Sequence, residues 1–122
     1  MKKVVLVYLK DYEDVVKDFP LLMNAWGFCV VAIAWDETRF MEEIKNADLV
    51  FVYDTGSVIA PTVLNLCGGN ISILILYTGT RPETRQKNVR SMLVPTDPRD
   101  IEKTMKRLTR RRKGVKNASY FF

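Results

Sequence analysis

Short apolar runs alternate with amphipathic stretches along the chain, and this alternation predicts an α/β fold. Five runs are predicted to be strands, and four of them contain almost no polar residue. Such continuous apolar runs are typical of parallel strands that helices cover on both faces. The predicted strands are residues 3–9, 28–34, 48–53, 71–77 and 92–94.

Helical spacing of apolar residues predicts a helix after each strand. Asp11 can cap the first helix and Gly27 can end it, while Pro20 is expected to kink or split it. The fourth predicted helix is mostly polar, and the last one begins with Pro98 in its first turn. The predicted helices are residues 11–26, 36 to about 44, 57–66, 81–89 and 98–112.

Five such units with short connections predict a three-layer αβα domain with a five-stranded, mostly parallel sheet in the flavodoxin-like order 2-1-3-4-5. In this order, ligands bind where the chain direction reverses, above the carboxyl ends of strands 1 and 3. The predicted binding residues are Asp54, Thr55, Gly56 and Ser57, with Thr78, Gly79 and Arg81 on the adjacent flank.

The composition fits a single soluble domain. The chain has 122 residues, of which 48% are apolar and 27% charged, so it is neither disordered nor long enough for two cores. No apolar stretch approaches the roughly 20 residues that span a bilayer. We therefore expect a cytoplasmic Rossmann-like domain over residues 1–113, no membrane partner, and a basic and aromatic tail over residues 114–122.

Histidine is absent from the chain, which removes histidine-based nucleophile pairs, acid–base catalysis and the usual zinc sites. Cys29 and Cys67 are too far apart for a CxxC motif and are predicted to be small buried residues. The sequence therefore predicts no catalytic residue and no metal site, it identifies no cofactor, and it favours a protein that is not an enzyme.

The turn after the third strand can be interpreted in two ways. A glycine turn before a helix offers backbone N–H groups and a positive dipole end that suit a phosphate, and Thr55 and Ser57 add hydroxyl groups. Alternatively, Asp54 and Ser57 cap the third helix and bind no ligand. Both interpretations stay open at this point.

Asp54 at the end of strand 3 and Thr78 at the end of strand 4 resemble the phosphate acceptor and the switch hydroxyl of response-regulator receiver domains. This resemblance implies a receiver-like regulatory domain. The chain departs from the receiver pattern at two other places. It has Tyr8 and Leu9 where receivers carry an acidic pair for Mg²⁺, and Val94 where they carry a lysine before proline. It would therefore be an atypical receiver.

A longer run of residues, NADLVFVYDTGS followed by YTGTRPE and LVPTDPRDI, resembles the carboxyl-terminal half of the non-hydrolysing UDP-N-acetylglucosamine 2-epimerases. The similar region covers roughly residues 46–108. It implies a nucleotide or nucleotide-sugar ligand at Thr55 to Ser57, with Arg81 as an anion contact. The family's other domain, which supplies most of its catalytic groups, has no counterpart in this chain.

Positive charge is concentrated at the carboxyl-terminal end. Residues 98–122 carry nine basic residues and two acids, so they hold a charge of +7 while the remainder holds −2. This cluster predicts contacts with nucleic acid through Lys106, Arg107, Arg110, Arg111, Arg112 and Lys113. Residues 120–122 could stack on bases or pack on a second subunit in a homodimer. The alternative is a solvated helix face.

Overall fold

Five parallel strands form one sheet, in the order β2-β1-β3-β4-β5. The computed structural model describes the backbone of residues 1–119 and the side chains of residues 1–110. The strands are β1 (Lys2–Tyr8), β2 (Phe28–Ala34), β3 (Leu49–Thr55), β4 (Ser72–Thr78) and β5 (Val89–Leu93). The predicted order is confirmed, and every neighbouring pair of strands is parallel.

Helices cover both faces of the sheet. They are α1 (Glu13–Val16), α2 (Phe19–Ala25), α3 (Glu37–Glu43), α4 (Ala60–Cys67) and α5 (Pro98–Ser119). Single 3₁₀ turns precede α1, at Lys10–Tyr12, and follow α3, at Ile44–Asn46. Within the described residues, no helix is both long and apolar enough to cross a membrane.

The central strands are buried on both faces, as their continuous apolar sequences predict. Val5 and Val7 of β1 belong to one hydrophobic cluster, which α3 and α4 cover, whereas Val4 and Leu6 belong to a second cluster under α2 and α5. All four side chains are fully buried. This alternation fixes the register, because a slip by one residue would exchange the two faces.

The first predicted helix is split into α1 and α2. The break falls at residues 17–18, and Pro20 lies in the first turn of α2. Proline is tolerated there because its missing N–H group would have no partner in the first turn of a helix. The prediction that Pro20 splits this helix is confirmed.

The predicted fourth helix is wrong. Residues 81–86 have no regular structure, and strand β5 begins at Val89, earlier than predicted. The segment RPETRQKN has no apolar stripe that could hold a helix against the sheet. Polar side chains fasten it instead: the Gln86 amide donates to the Leu64 carbonyl at 3.3 Å, and the Asn88 amide donates to the Ile71 carbonyl.

Helix α5 packs against β3 and β4 through an apolar stripe formed by Ile101, Met105 and Leu108. These three side chains are at most 7% exposed. The predicted boundary between domain and tail, at residue 113, lies beyond the residues whose side chains are described.

Candidate functional site

The end of β3 and the turn after it form the centre of the predicted crevice. Asp54 and Thr55 lie opposite Tyr77 and Thr78 of β4. Gly56 has a φ of 74°, a left-handed conformation that glycine adopts without steric cost. Its N–H group donates to the Thr78 carbonyl at 3.3 Å, so the turn is fastened to the end of β4.

Asp54 is fully buried, and its carboxylate accepts hydrogen bonds from the two residues before α4 and from its first residue, Ala60. Oδ1 accepts from Val58 N at 3.0 Å and from Ile59 N at 3.1 Å, while Oδ2 accepts from Ile59 N at 3.2 Å and from Ala60 N at 2.8 Å. The negative charge thus lies at the positive end of the helix dipole. Capping of α4 by Asp54 is confirmed, and the same N–H groups are the ones that a ligand phosphate would need.

Ser57 does not cap α4, so this part of the prediction is wrong. Its φ of 57° is also left-handed, and its hydroxyl donates to the Thr80 carbonyl at 3.4 Å. The side chain therefore fastens the turn to the segment after β4. Thr55, Ser57 and Thr78 are all partly exposed at the carboxyl edge of the sheet, as predicted.

Arg81 lies in a different place, a groove of about 940 Å³ beside β5. Arg85 and Arg90 line the same groove, whereas Asp54 and Thr55 do not. All three arginines are exposed. The sequence analysis did not identify Arg85 and Arg90 as possible anion contacts, because it assigned residues 81–89 to a helix. The basic residues of the segment RPETRQKNVR were the signal that could have indicated them.

Tyr8 and Val94, which stand where the receiver pattern has charged residues, are held by contacts within the domain. Tyr8 is buried at the end of β1, and its hydroxyl donates to Glu13 Oε1 at 3.5 Å. Burial and the nearby Glu13 charge raise the pKa of Tyr8. Val94 packs against the second hydrophobic cluster. Among the described residues, no group of three or more His, Cys, Asp or Glu side chains could hold a metal ion.

Four of the basic residues of α5 line a shallow depression of about 410 Å³, namely Lys103, Lys106, Arg107 and Arg110. The structure thus brings together three of the predicted nucleic-acid contacts, with Lys103 of the same basic helix beside them. The other three predicted contacts, Arg111, Arg112 and Lys113, lie outside the residues whose side chains are described.

An apolar cavity of about 270 Å³ lies between α2 and α5 above β3. Aromatic and aliphatic side chains line it, among them Phe19, Trp26, Phe51 and Val94. Sequence reasoning did not identify this cavity, because its lining comes from elements that are distant in the chain and meet only in the fold.

The sheet order and the two helical layers define a flavodoxin-like fold of the receiver type. Solved receiver structures are similar to this chain. A receiver domain protein from Clostridium thermocellum has 14% identity and a TM-score of 0.71, with 94% of this chain and 99% of that chain covered. The chemotaxis protein CheY4 of Vibrio cholerae has 20% identity and a TM-score of 0.66, covering 88% and 98%. A receiver domain protein from Bacillus halodurans has 18% identity and a TM-score of 0.65, covering 88% and 96%.

These similarities establish the fold alone, because all three identities are low. No protein-family model matches the sequence, and no curated protein matches it. The resemblance to receiver domains is thus supported at the level of the fold. The resemblance to the 2-epimerases receives no support from these comparisons.

Proposed function

We propose that this chain is a receiver-like regulatory domain that acts as an interaction module and does not use Asp54 as a phosphoryl acceptor. The observation that carries the proposal is the set of hydrogen bonds between the Asp54 carboxylate and Val58, Ile59 and Ala60. A nucleophilic carboxylate must present an oxygen to the incoming phosphorus atom. Both Asp54 oxygens are directed at the helix instead, and the side chain has no exposed surface.

The surroundings of Asp54 support the same proposal. Transfer of a phosphoryl group needs cations that offset the developing negative charge. Tyr8 and Leu9 supply no carboxylate for Mg²⁺ at the end of β1, and Val94 supplies no cation at the end of β5. Regulation in such a domain depends on which surfaces are free to bind a partner, not on the phosphorylation state.

Treatment with acetyl phosphate and Mg²⁺ tests this proposal. We expect the intact mass of the parent protein to stay unchanged, as that of Asp54→Asn does, while a receiver with a complete acidic set gains a phosphoryl group. We also expect the sedimentation coefficient to be the same with and without acetyl phosphate. A phosphoryl adduct that maps to Asp54 would overturn the proposal.

A second candidate function is binding of a phosphate-bearing ligand, such as a nucleotide or nucleotide sugar. The observation that favours it is the groove that Arg81, Arg85 and Arg90 line. Arginine binds phosphate oxygens in a bidentate manner. In this second candidate function, the anion binds in the groove beside β5 and not at the Gly56 turn.

Thermal unfolding with inorganic phosphate, nucleotides and nucleotide sugars tests this candidate. We expect a ligand to raise the melting temperature of the parent protein and of Arg39→Gln, which removes an exposed arginine elsewhere. The increase should be lost in Arg81→Gln. An unchanged melting temperature with every ligand would exclude this function.

A further inference from the structure

We propose that the exposed face of α5 binds the phosphate backbone of nucleic acid. This inference goes beyond the receiver-like function and does not depend on Asp54. It rests on the described part of α5, where one face of the helix is buried in the domain and the opposite face is cationic.

The two faces of α5 follow from helical geometry. With 3.6 residues per turn, Ile101, Met105 and Leu108 share one side, and they are buried. The cationic residues project on average about 180° away from that side. They are Lys103, Lys106, Arg107 and Arg110, and together they line one depression.

Little of this charge is neutralised within the described residues. Lys106 forms an ion pair with Glu102 at 2.6 Å, in a helical i,i+4 arrangement. Lys103, Arg107 and Arg110 form no ion pair with any residue whose side chain is described. Three cations of the face therefore have no ion pair with a described side chain. Of these, only Lys103 acts on a nearby acid, because hydrogen bonds from Arg99 and the charge of Lys103 together lower the pKa of Asp97. Such a face suits a polyanion.

The density of charge is close to that of a nucleic acid. Residues 103–110 span about 10.5 Å of helix axis, so the four cations follow one another at a mean interval of about 3.5 Å. Each strand of duplex DNA carries one negative charge per about 3.4 Å of the axis. A cationic helix face of this density can neutralise several neighbouring phosphates at once.

The burial of Met105 and its neighbours argues against an anionic membrane as the partner. A helix that lies in a bilayer interface must insert an apolar face between the lipids. The apolar face of α5 is already packed against β3 and β4, with Met105 fully buried. Only the charged face is left for a partner, so α5 has no apolar contact with which to anchor itself in a membrane.

Fluorescence anisotropy with a short labelled DNA duplex, an RNA duplex and a single-stranded DNA tests the proposal. The variant Lys103→Gln/Arg107→Gln removes two cations from the face. The matched control Arg39→Gln/Lys45→Gln removes the same two residue types, both exposed, from the other side of the sheet. Circular dichroism verifies that both variants are folded.

We expect the parent protein and the control to bind with affinity that falls at least about a hundredfold between about 50 and 200 mM salt. The face variant should bind about tenfold more weakly at intermediate salt. Its slope of log affinity against log salt should be smaller by about two. The three probes show whether duplex or single-stranded nucleic acid is preferred.

Three outcomes would overturn the proposal. One is no binding to any of the three probes at about 50 mM salt. Another is an equal loss of affinity in the face variant and the control, which would indicate only an effect of net charge. The third is displacement of the nucleic acid by polyglutamate or by anionic vesicles at equal concentrations of negative charge.

Discussion

Replacing Asp54 by alanine should destabilise the protein more than the loss of an ordinary helix cap. The substitution removes both carboxylate oxygens and leaves the N–H groups of Val58, Ile59 and Ala60 without their acceptor. Water can reach Val58, which is 58% exposed, but Ile59 and Ala60 are buried. Two buried donors would therefore lose their partner.

The cost can be worked from these contacts. An unsatisfied buried donor costs about 1–3 kcal/mol, and the lost interaction of the charge with the helix dipole adds up to about 1 kcal/mol. With two such donors, we therefore expect Asp54→Ala to lower the free energy of unfolding by about 2–7 kcal/mol. Asp54→Asn keeps one acceptor oxygen and should lose about 2 kcal/mol.

Urea denaturation followed by circular dichroism measures these losses. The matched control is Asp36→Ala, because Asp36 caps α3 by accepting one hydrogen bond, from Arg39 N at 3.1 Å, at an exposed site. We expect about 1 kcal/mol for that control. An Asp54→Ala loss no larger than the control would refute the reasoning.

Three further experiments test other parts of the fold. Gly56→Ala should lower the free energy of unfolding by about 1–2 kcal/mol in urea denaturation, because a side chain is disfavoured at its φ of 74°. The control Gly69→Ala, at a glycine without such a φ, should change this free energy by less than about 0.5 kcal/mol, and equal effects of the two substitutions would contradict this reason. Cys29 is exposed, so the prediction that it is buried is wrong, and it should be alkylated rapidly at pH 8. Cys67 should be alkylated slowly, as followed by mass spectrometry, because it is buried and burial raises its pKa to about 11. Rapid alkylation of both cysteines would contradict the burial of Cys67. Because folding raises the Cys67 pKa from 9.0, the protonated thiol should contribute its full stability below pH 9 and progressively less as the pH rises towards 11. Met105→Ala should lower the free energy of unfolding by about 2–5 kcal/mol, since this fully buried side chain anchors α5, and a loss below about 1 kcal/mol would refute that anchoring.

The strands could be predicted because the apolar runs carry the information locally, and their order followed from the usual arrangement of five such units. The run from Val4 to Val7 is apolar at every position, and only a strand covered on both faces buries all of these side chains. The segment at 81–88 offers no such signal. Its structure depends on amide contacts from Gln86 and Asn88 to carbonyl groups of other elements, which a local pattern does not encode.

The turn at the end of β3 lies where the sequence predicts it, but the sequence did not decide what Asp54 does there. Whether the Asp54 carboxylate turns towards a ligand or towards α4 depends on the direction of the turn at Gly56 and Ser57. Both residues adopt left-handed conformations, and spacing along the chain does not reveal this. The position of Arg81 could not be predicted either, because it depended on the fourth helix, which does not form.

The irregular segment between β4 and β5 also affects where the protein unfolds locally. Val89 is the only residue of β5 that is buried, whereas β1 and β3 are buried along most of their lengths. Local unfolding begins where few apolar groups are buried, so we expect amide hydrogens of β5 to exchange with solvent before those of β1 and β3. The edge of the sheet next to the arginine groove can then loosen while the centre stays folded, and binding there would slow this exchange.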